Sequence, residues 1–279
     1  MTIRSKILIP VLAVSAAMFG VAGAVAISTT AKAAMQTARS QLSATVERYA
    51  FRMEARLEGP FATVRTLAAM FEDYYLFTEN ERRGTLSSMM GSILRKNPEY
   101  LSAWTAWTPG SVDELDSRFA GSAFGSESGA FAHELYRSGD ALESAALPDA
   151  VRTEQRYASS YTTLSESIVG PYERRMPDGG RERVFSVAAP VISDGRSVGV
   201  IGIEIAASVY ADMAADVTLA LSGLSGLLDN DYVFLYHPDR DIQGRSIISV
   251  DPKKTEDTKA VRSGSPFSYD FKVPGGGDW

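Results

Sequence analysis

Three consecutive pieces decide the fold class: Val184-Phe-Ser-Val-Ala-Ala-Pro-Val-Ile192, then Ser193-Asp-Gly-Arg196, then Ser197-Val-Gly-Val-Ile-Gly-Ile-Glu-Ile205. Two apolar, β-branched runs flank an Asp-Gly pair, which is a strong short-range hairpin signal. In the second run Ile201, Ile203 and Ile205 share one face, while Val198, Val200, Gly202 and Glu204 share the other. Both faces stay apolar until Glu204. A carboxylate there sits at a solvated sheet edge, aims into a polar cavity or has a partner, because an unpaired buried charge is very costly. Gly202 on the same face leaves space beside it, which makes Glu204 the best single pointer to the cationic group of a ligand.

The surrounding texture extends the sheet. Tyr100 to Thr108 (YLSAWTAWT) is aromatic-rich and runs into a turn at Pro109-Gly110. Gly121 to Gly129 is a glycine- and serine-rich loop, and Ala130 to Tyr136 reads as a further strand. Ala146 to Ser160, with Pro148 near its start, reads as helical or irregular. Downstream, a helix over Ala206 to Leu219 leads into a second, shorter module that begins near Ser222. Its expected strands are Tyr232 to Tyr236, ended by His237-Pro238-Asp239, and Phe267 to Val273. The sequence stops at Gly-Gly-Gly-Asp-Trp279, so this module is expected to be cut short.

Toward the N-terminus the period changes to that of a helix. Leu42, Val46, Tyr49, Met53, Leu57, Phe61, Val64, Ala68 and Phe71 recur at steps of three and four, predicting one long helix from about Ala31 to Tyr75. Gly59-Pro60 predicts a kink in it. A second helix is expected from Glu79 to Arg95, ending before Asn97-Pro98. Ile7 to Ser28 carries no charge and is long enough to cross a hydrocarbon core of about 30 Å. Arg4 and Lys6 precede it, which places the N-terminus in the cytoplasm and the chain beyond residue 28 outside. The competing reading is a signal peptide cleaved near Ala31-Lys32-Ala33.

Composition narrows the chemistry. The net charge of −6 and pI near 5.1 argue against nucleic-acid binding, which needs a basic surface. The absence of cysteine removes thiolate nucleophiles, cysteine-held metals and disulfides together. His133 and His237 are the only histidines, and neither lies in a metal-ligand spacing or supports a Ser-His-Asp triad. No cofactor, metal or catalytic group is expected.

The order of these features resembles the double Cache sensor domains of bacterial methyl-accepting chemotaxis proteins, over nearly the whole chain. The parts that carry the likeness are Trp104-Thr-Ala-Trp107-Thr-Pro, the stretch from Tyr157 to Pro171-Tyr172, and the hairpin from Ala189 to Glu204. Tyr236-His237-Pro238-Asp239 matches the corresponding strand end of a membrane-proximal module. The resemblance implies an α+β fold: an N-terminal transmembrane helix and long stalk helix, then two PAS-like modules with antiparallel sheets, the second incomplete. It implies a ligand pocket in the membrane-distal module. Tyr157, Tyr161 and Tyr172 would line it, Glu204 would grip an amine, and Trp104 and Trp107 would form walls. Glu173 joins the set beside Tyr172. The two tryptophans are three apart and face opposite sides of a regular strand, so only one is expected to line the pocket.

The sequence also departs from the amino-acid-sensing members. Where they carry Arg-x-Trp-Tyr and Pro-Tyr-x-Asp, this chain has Glu154-Gln-Arg156-Tyr157 and Pro171-Tyr172-Glu173-Arg174. The arginine for an α-carboxylate is displaced or absent. Aromatic rings with one carboxylate suit a cation instead, such as a quaternary amine or a polyamine.

The expected organisation is a cytoplasmic N-terminus (1–6), transmembrane helix (7–28), stalk (29–78), membrane-distal module (79–212) and truncated membrane-proximal module (213–279). The expected role is a chemoreceptor's sensing region in the periplasm, anchored in the inner membrane and homodimeric through the long helix. The alternatives are the sensor of a histidine kinase or cyclic-dinucleotide enzyme, and a secreted periplasmic binding protein or hydrolase.

Overall fold

The computed structural model of the 279-residue chain describes residues 3–175, 179–216, 226–229 and 231–250. They fall into two compact units, which divide between Phe51 and Arg52. Helix α1, Ile3–Glu72, is continuous and is not interrupted at Gly59-Pro60, where the sequence predicts a kink. The Thr63 hydroxyl donates to the Gly59 carbonyl at 2.9 Å. Leu57, Phe61 and Val64 are packed into a core on either side of Pro60, and that packing holds the helical path.

In the first unit, Leu12, Val14, Met18, Phe19, Val21, Val25 and Ile27 are all exposed. The helix there has a window of mean hydropathy 1.6, long and apolar enough to cross a membrane. Exposed apolar side chains around a whole helix are what a lipid environment covers.

The second unit is built on six antiparallel strands. Helix α2 (Arg82–Lys96) precedes β1 (Tyr100–Trp107), and the one-turn helix α3 (Asp116–Phe119) precedes β2 (Ala132–Ser138) and β3 (Ala141–Ala146). Helix α4 (Gln155–Thr163) then leads to β4 (Ser167–Arg175), β5 (Arg181–Ser193) and β6 (Arg196–Ala206). Their order in the sheet is β3-β2-β1-β6-β5-β4, so β1 and β6 are central. The β5–β6 hairpin forms as the sequence predicts, with Asp194 and Gly195 at φ +49° and +72°. Positive φ at both central positions is what a tight turn matching the strand twist requires.

Helices cover both faces of this sheet. On one, Val64, Leu67 and Phe71 of α1 and Leu86, Met90 and Leu94 of α2 pack on Ala103, Trp107, Val187, Val191, Ile201, Ile203 and Ile205. Each such fully buried side chain is worth about 1.5–3 kcal/mol. On the other face, Tyr157 of α4 and Val151 before it pack on Trp104, Ala106, Ala132, Ala188 and Val200. Val198 departs from the expected alternation. A register shift puts Val191 opposite Gly199 and Ile192 opposite Ser197, and Val198 joins the α1-side cluster.

The loop between β1 and β2 is fastened by Arg83 of α2, which is 1% exposed. Its guanidinium donates to both oxygens of Asp113, at 2.8 and 2.7 Å, and to Asp116 Oδ1 at 2.6 Å. It also donates to the carbonyls of Phe124, at 3.1 Å, and Gly129, at 2.7 Å. All five N–H groups are thereby used. Arg137 of β2 ties the end of α2 to the start of β1, donating to the carbonyls of Leu94, Asn97 and Tyr100. His133 lies in the core between the rings of Phe124 and Phe131, bonded to Ser87 and the Ala123 carbonyl. Burial lowers its pKa below the usual histidine value.

Beyond α5 (Ser208–Ala215) a small second sheet pairs β7 (Leu227–Leu228) with β8 (Phe234–Tyr236), followed by α6 (Ile247–Val250). Asp229 organises its turn, accepting from the amides of Asp231 and Val233 and from Arg183 of β5, each at 2.9 Å. The end of the predicted helix at 217–219, the predicted strand Phe267 to Val273 and the closing Gly-Gly-Gly-Asp-Trp279 lie outside the described residues.

Candidate functional site

The α4 face of the sheet carries a buried charged cluster centred on Glu204, which is 0% exposed. Register places it: Ser102 of β1 and Ser186 of β5 lie directly across from Glu204, and Trp104 lies between Gly202 and Glu134. Glu204 Oε1 accepts from Arg156 Nη1 at 2.7 Å and from the Tyr172 hydroxyl at 2.6 Å. Its Oε2 accepts from Ser102 Oγ at 3.1 Å and pairs with Arg174 Nη1. Arg174 Nη2 lies 2.7 Å from Glu134 Oε1, and Arg156 Nε donates to Glu154 Oε2 at 2.7 Å. Burial raises the pKa of the Tyr172 phenol, so it stays a donor to the carboxylate.

Trp104 forms the floor. Its indole N–H donates to Ser186 Oγ at 3.0 Å, and the Arg156 guanidinium lies 5.0 Å above the ring. Gly202 does not leave a space beside Glu204, as its sequence position suggests; the indole of Trp104 fills it. A Cβ on residue 202 would sit 2.4 Å from Trp104 Cε2. Gly202→Ala is therefore expected to lever the indole off its seat at a cost of about 1–3 kcal/mol. Thermal unfolding and a red shift in tryptophan emission check this; unchanged stability would show that the ring moves freely.

Two local devices deliver the other residues. Helix α4 starts from an extended Glu154 and ends at Leu164 in the left-handed region (φ +54°). Between them Tyr157, Ser160 and Tyr161 share a face. The rings of Tyr157 and Tyr161 stack at 5.0 Å, and Ser160 Oγ reaches the Ala188 carbonyl and Ser167 Oγ. In β4 the register shifts between Val169 and Tyr172. At the shift Gly170 has φ +119°, and a Cβ there would lie 2.7 Å from the Val184 carbonyl oxygen. The shift changes parity: Val169 pairs with Ser186 and Tyr172 with Val184, so Tyr172 and Arg174 share the α4 face with Ser186.

Of the residues singled out from sequence, Trp104, Tyr157, Tyr161, Tyr172 and Glu204 are therefore brought to one face. Trp107 is not: it sits in the α1-side core against Phe71, Tyr74 and Phe131, opposite to Trp104 as their spacing requires. Glu173 is not either: it lies on the other side of β4, exposed, and pairs with Arg181 at 2.8 Å. Arg156 and Arg174, which in sequence are departures from a pattern, are both inside the cluster. Arg174 stands two residues from Tyr172 on a strand, the spacing that signals a shared face. Ser102, Glu134 and Ser186 carry no comparable signal in the sequence.

Chemically, Glu204 already receives four donors, the capacity of a carboxylate. Each arginine has a second carboxylate within reach, Glu154 for Arg156 and Glu134 for Arg174. Three carboxylates thus face two guanidiniums, leaving one negative charge in excess. A ligand ammonium can take Glu204 while both arginines keep a partner.

No protein-family model matches the sequence, and no curated protein matches it. Solved structures do resemble the fold. The extracellular domain of the histidine kinase candidate mmHK1S-Z2 matches with TM-score 0.74 and 20% identity, over 85% of this chain and 88% of that one. The periplasmic sensory domain of the Campylobacter jejuni chemoreceptor Tlp1 matches with TM-score 0.65 and 15% identity, over 83% and 84%. The ligand-binding domain of the Pseudomonas aeruginosa PAO1 chemoreceptor PctC, in complex with GABA, matches with TM-score 0.51 and 14% identity, over 80% of each. The fold is that of extracytoplasmic sensory domains of chemoreceptors and histidine kinases, and these neighbours are receptor parts rather than enzymes.

Proposed function

We propose that the chain is the extracytoplasmic sensing region of a bacterial receptor that binds a small organic amine at Glu204. The observation that carries this reading is the buried, net-negative cluster on the α4 face, where both arginines have fallback partners. A buried charge network of this kind, walled by Trp104, Tyr157 and Tyr161, is a functional-site feature rather than a stability device. The receptor is read as a chemoreceptor, with a histidine kinase as the second reading, since neighbours of both kinds share the fold. The module of residues 79–212 is the membrane-distal, ligand-holding one. The uncharged run 7–28 anchors the chain in the inner membrane with the sensing region in the periplasm. The exposed Met35, Leu42 and Val46 of α1 form a face for a second copy.

Binding acts on signalling by favouring one of two conformations, which requires the ligand to bind them unequally. Drawing Arg156 from Glu204 toward Glu154 would alter the seating of α4 on the sheet. Two solved neighbours are complexes with isoleucine and GABA, both of which carry an amine. The test is thermal unfolding of the full chain in lipid nanodiscs with L-isoleucine, GABA, choline and spermidine. At a concentration about 100 times its Kd, a ligand adds about 2.7 kcal/mol to the folded state. Amines are expected to raise the midpoint and Glu204→Gln to abolish the rise. If amine-free acids such as succinate raise it while no amine does, the Glu204 reading fails.

A further inference from the structure

On the face of the sheet away from Glu204, His133 of β2 is 0% exposed and is gripped from two sides. From the loop of residues 121–129, the Ala123 carbonyl lies 2.7 Å from Nδ1 and the Phe124 ring 4.9 Å from the imidazole. From α2, Ser87 Oγ lies 2.8 Å from Nε2. Phe131 stacks on the ring at 6.1 Å, with 16° between the planes. A carbonyl only accepts, so Nδ1 carries the proton and Nε2 receives the Ser87 hydroxyl. The neutral imidazole is fully satisfied there, and through it the loop is tied to α2.

A second proton finds nothing to hold it. Arg83, one turn before Ser87 on α2, donates to the Phe124 carbonyl, so an imidazolium and a guanidinium would sit on successive carbonyls. Asp113 and Asp116 both accept from Arg83. Glu127, the only titratable residue of 121–129, accepts from the Asp149 amide. Glu134, next on β2, belongs to the opposite face and pairs with Arg174. Its charge favours an imidazolium, but burial outweighs it and keeps the ring below the usual histidine pKa. Across the ladders His133 faces Thr105 of β1 and Ala146 of β3, neither of which ionises.

We propose that His133 is a proton-operated clasp, whose protonation releases the 121–129 loop from α2 and makes acidity a second input to this domain. A proton on Nε2 deprives the Ser87 hydroxyl of its acceptor and sets an unpaired charge in an apolar ring stack. Arg83 holds the same loop, so release works against that grip. In the open state the ring meets water and keeps its proton. The sign follows from this. The closed state leaves the ring neutral below about pH 6.5, where the open state binds a proton. The closed-to-open ratio is therefore highest above that pH and falls in acid, by up to about tenfold per pH unit for one proton. The clasp is separate from the Glu204 cluster and does not rest on the ligand reading.

The experiment is amide hydrogen exchange on the full chain in nanodiscs from about pH 7 to pH 5. Wild type is compared with His133→Gln at each pH, so that the chemical exchange rate cancels. The substitution keeps a donor and an acceptor but takes no proton. Protection of amides in 121–131 is expected to fall in wild type by up to about tenfold per pH unit and to stay level in His133→Gln. His237→Gln, at the only other histidine and one that is not buried, should retain the fall. If wild type and His133→Gln lose protection alike, other groups drive the change and the proposal is overturned. Wild-type protection that is unmoved down to about pH 5 also overturns it. Should His133→Gln fail to fold, nitrogen-15 NMR of the wild-type rings decides. A His133 ring that stays neutral until loop protection is lost supports the clasp. One that takes its proton near pH 6.5 with the loop still protected sinks it.

Discussion

Arg83→Met is expected to cost the folded state about 3–5 kcal/mol, the penalty for stranding a buried carboxylate. Arg83 and Asp113 have side chains 1% and 0% exposed, so water cannot replace the lost partner. The substitution also releases Asp116 and the carbonyls of Phe124 and Gly129, all held by the same guanidinium. The loop cannot close another way, because Gly129 (φ +85°) passes so near Asp116 that a Cβ would overlap its carbonyl oxygen. Urea unfolding followed by tryptophan fluorescence measures the loss. Arg83→Lys should recover little of it, since a point charge cannot reproduce a five-donor fork. A loss under about 1 kcal/mol would show that the loop holds its shape unaided.

The second large effect is expected at Glu204. Glu204→Gln removes the charge shared by Arg156 and Arg174 and leaves each with one carboxylate. A cost of up to about 3–5 kcal/mol is expected, the scale for removing one partner of a buried ion pair. Arg156 can still turn to Glu154, whose side chain is 43% exposed, so its share of the penalty is the smaller. Arg174, 13% exposed beside the buried Glu134, carries the larger share. The double variant Glu204→Gln/Arg174→Met should therefore be less damaged than the sum of its parts, with a coupling of about 0.5–3 kcal/mol. Strict additivity in urea unfolding would mean that the two groups do not interact in solution.

Elements are legible in the sequence where their signal is local. The β5–β6 hairpin is, because β-branched apolar runs and an Asp-Gly turn act over a few residues. The long helix is too, from its three-four spacing, although tertiary packing overrides the expected kink at Pro60. Strand β3 is not: Ala141-Leu-Glu-Ser-Ala-Ala146 has little β-propensity, and its pairing with β2 places it at the sheet edge. Strand β4 is hidden by Gly170-Pro171, two residues poor in strand propensity that sit in its bulge. At the site, Glu204 announces itself as a charge on an apolar strand. Arg156 and Arg174 do not, because an arginine in a polar stretch is usually solvated, and only the register shows what they face.

The bulge in β4 carries one more implication. The pairing with β5 sets Val169 opposite Ser186 and Tyr172 opposite Val184, so the extra residue is absorbed within the bulge itself. Loss of a single codon between Val169 and Tyr172 would put plain alternation in place of the bulge and leave Tyr172 and Arg174 on the ligand face. The strand can thus change length at that one position without changing what it presents to a ligand.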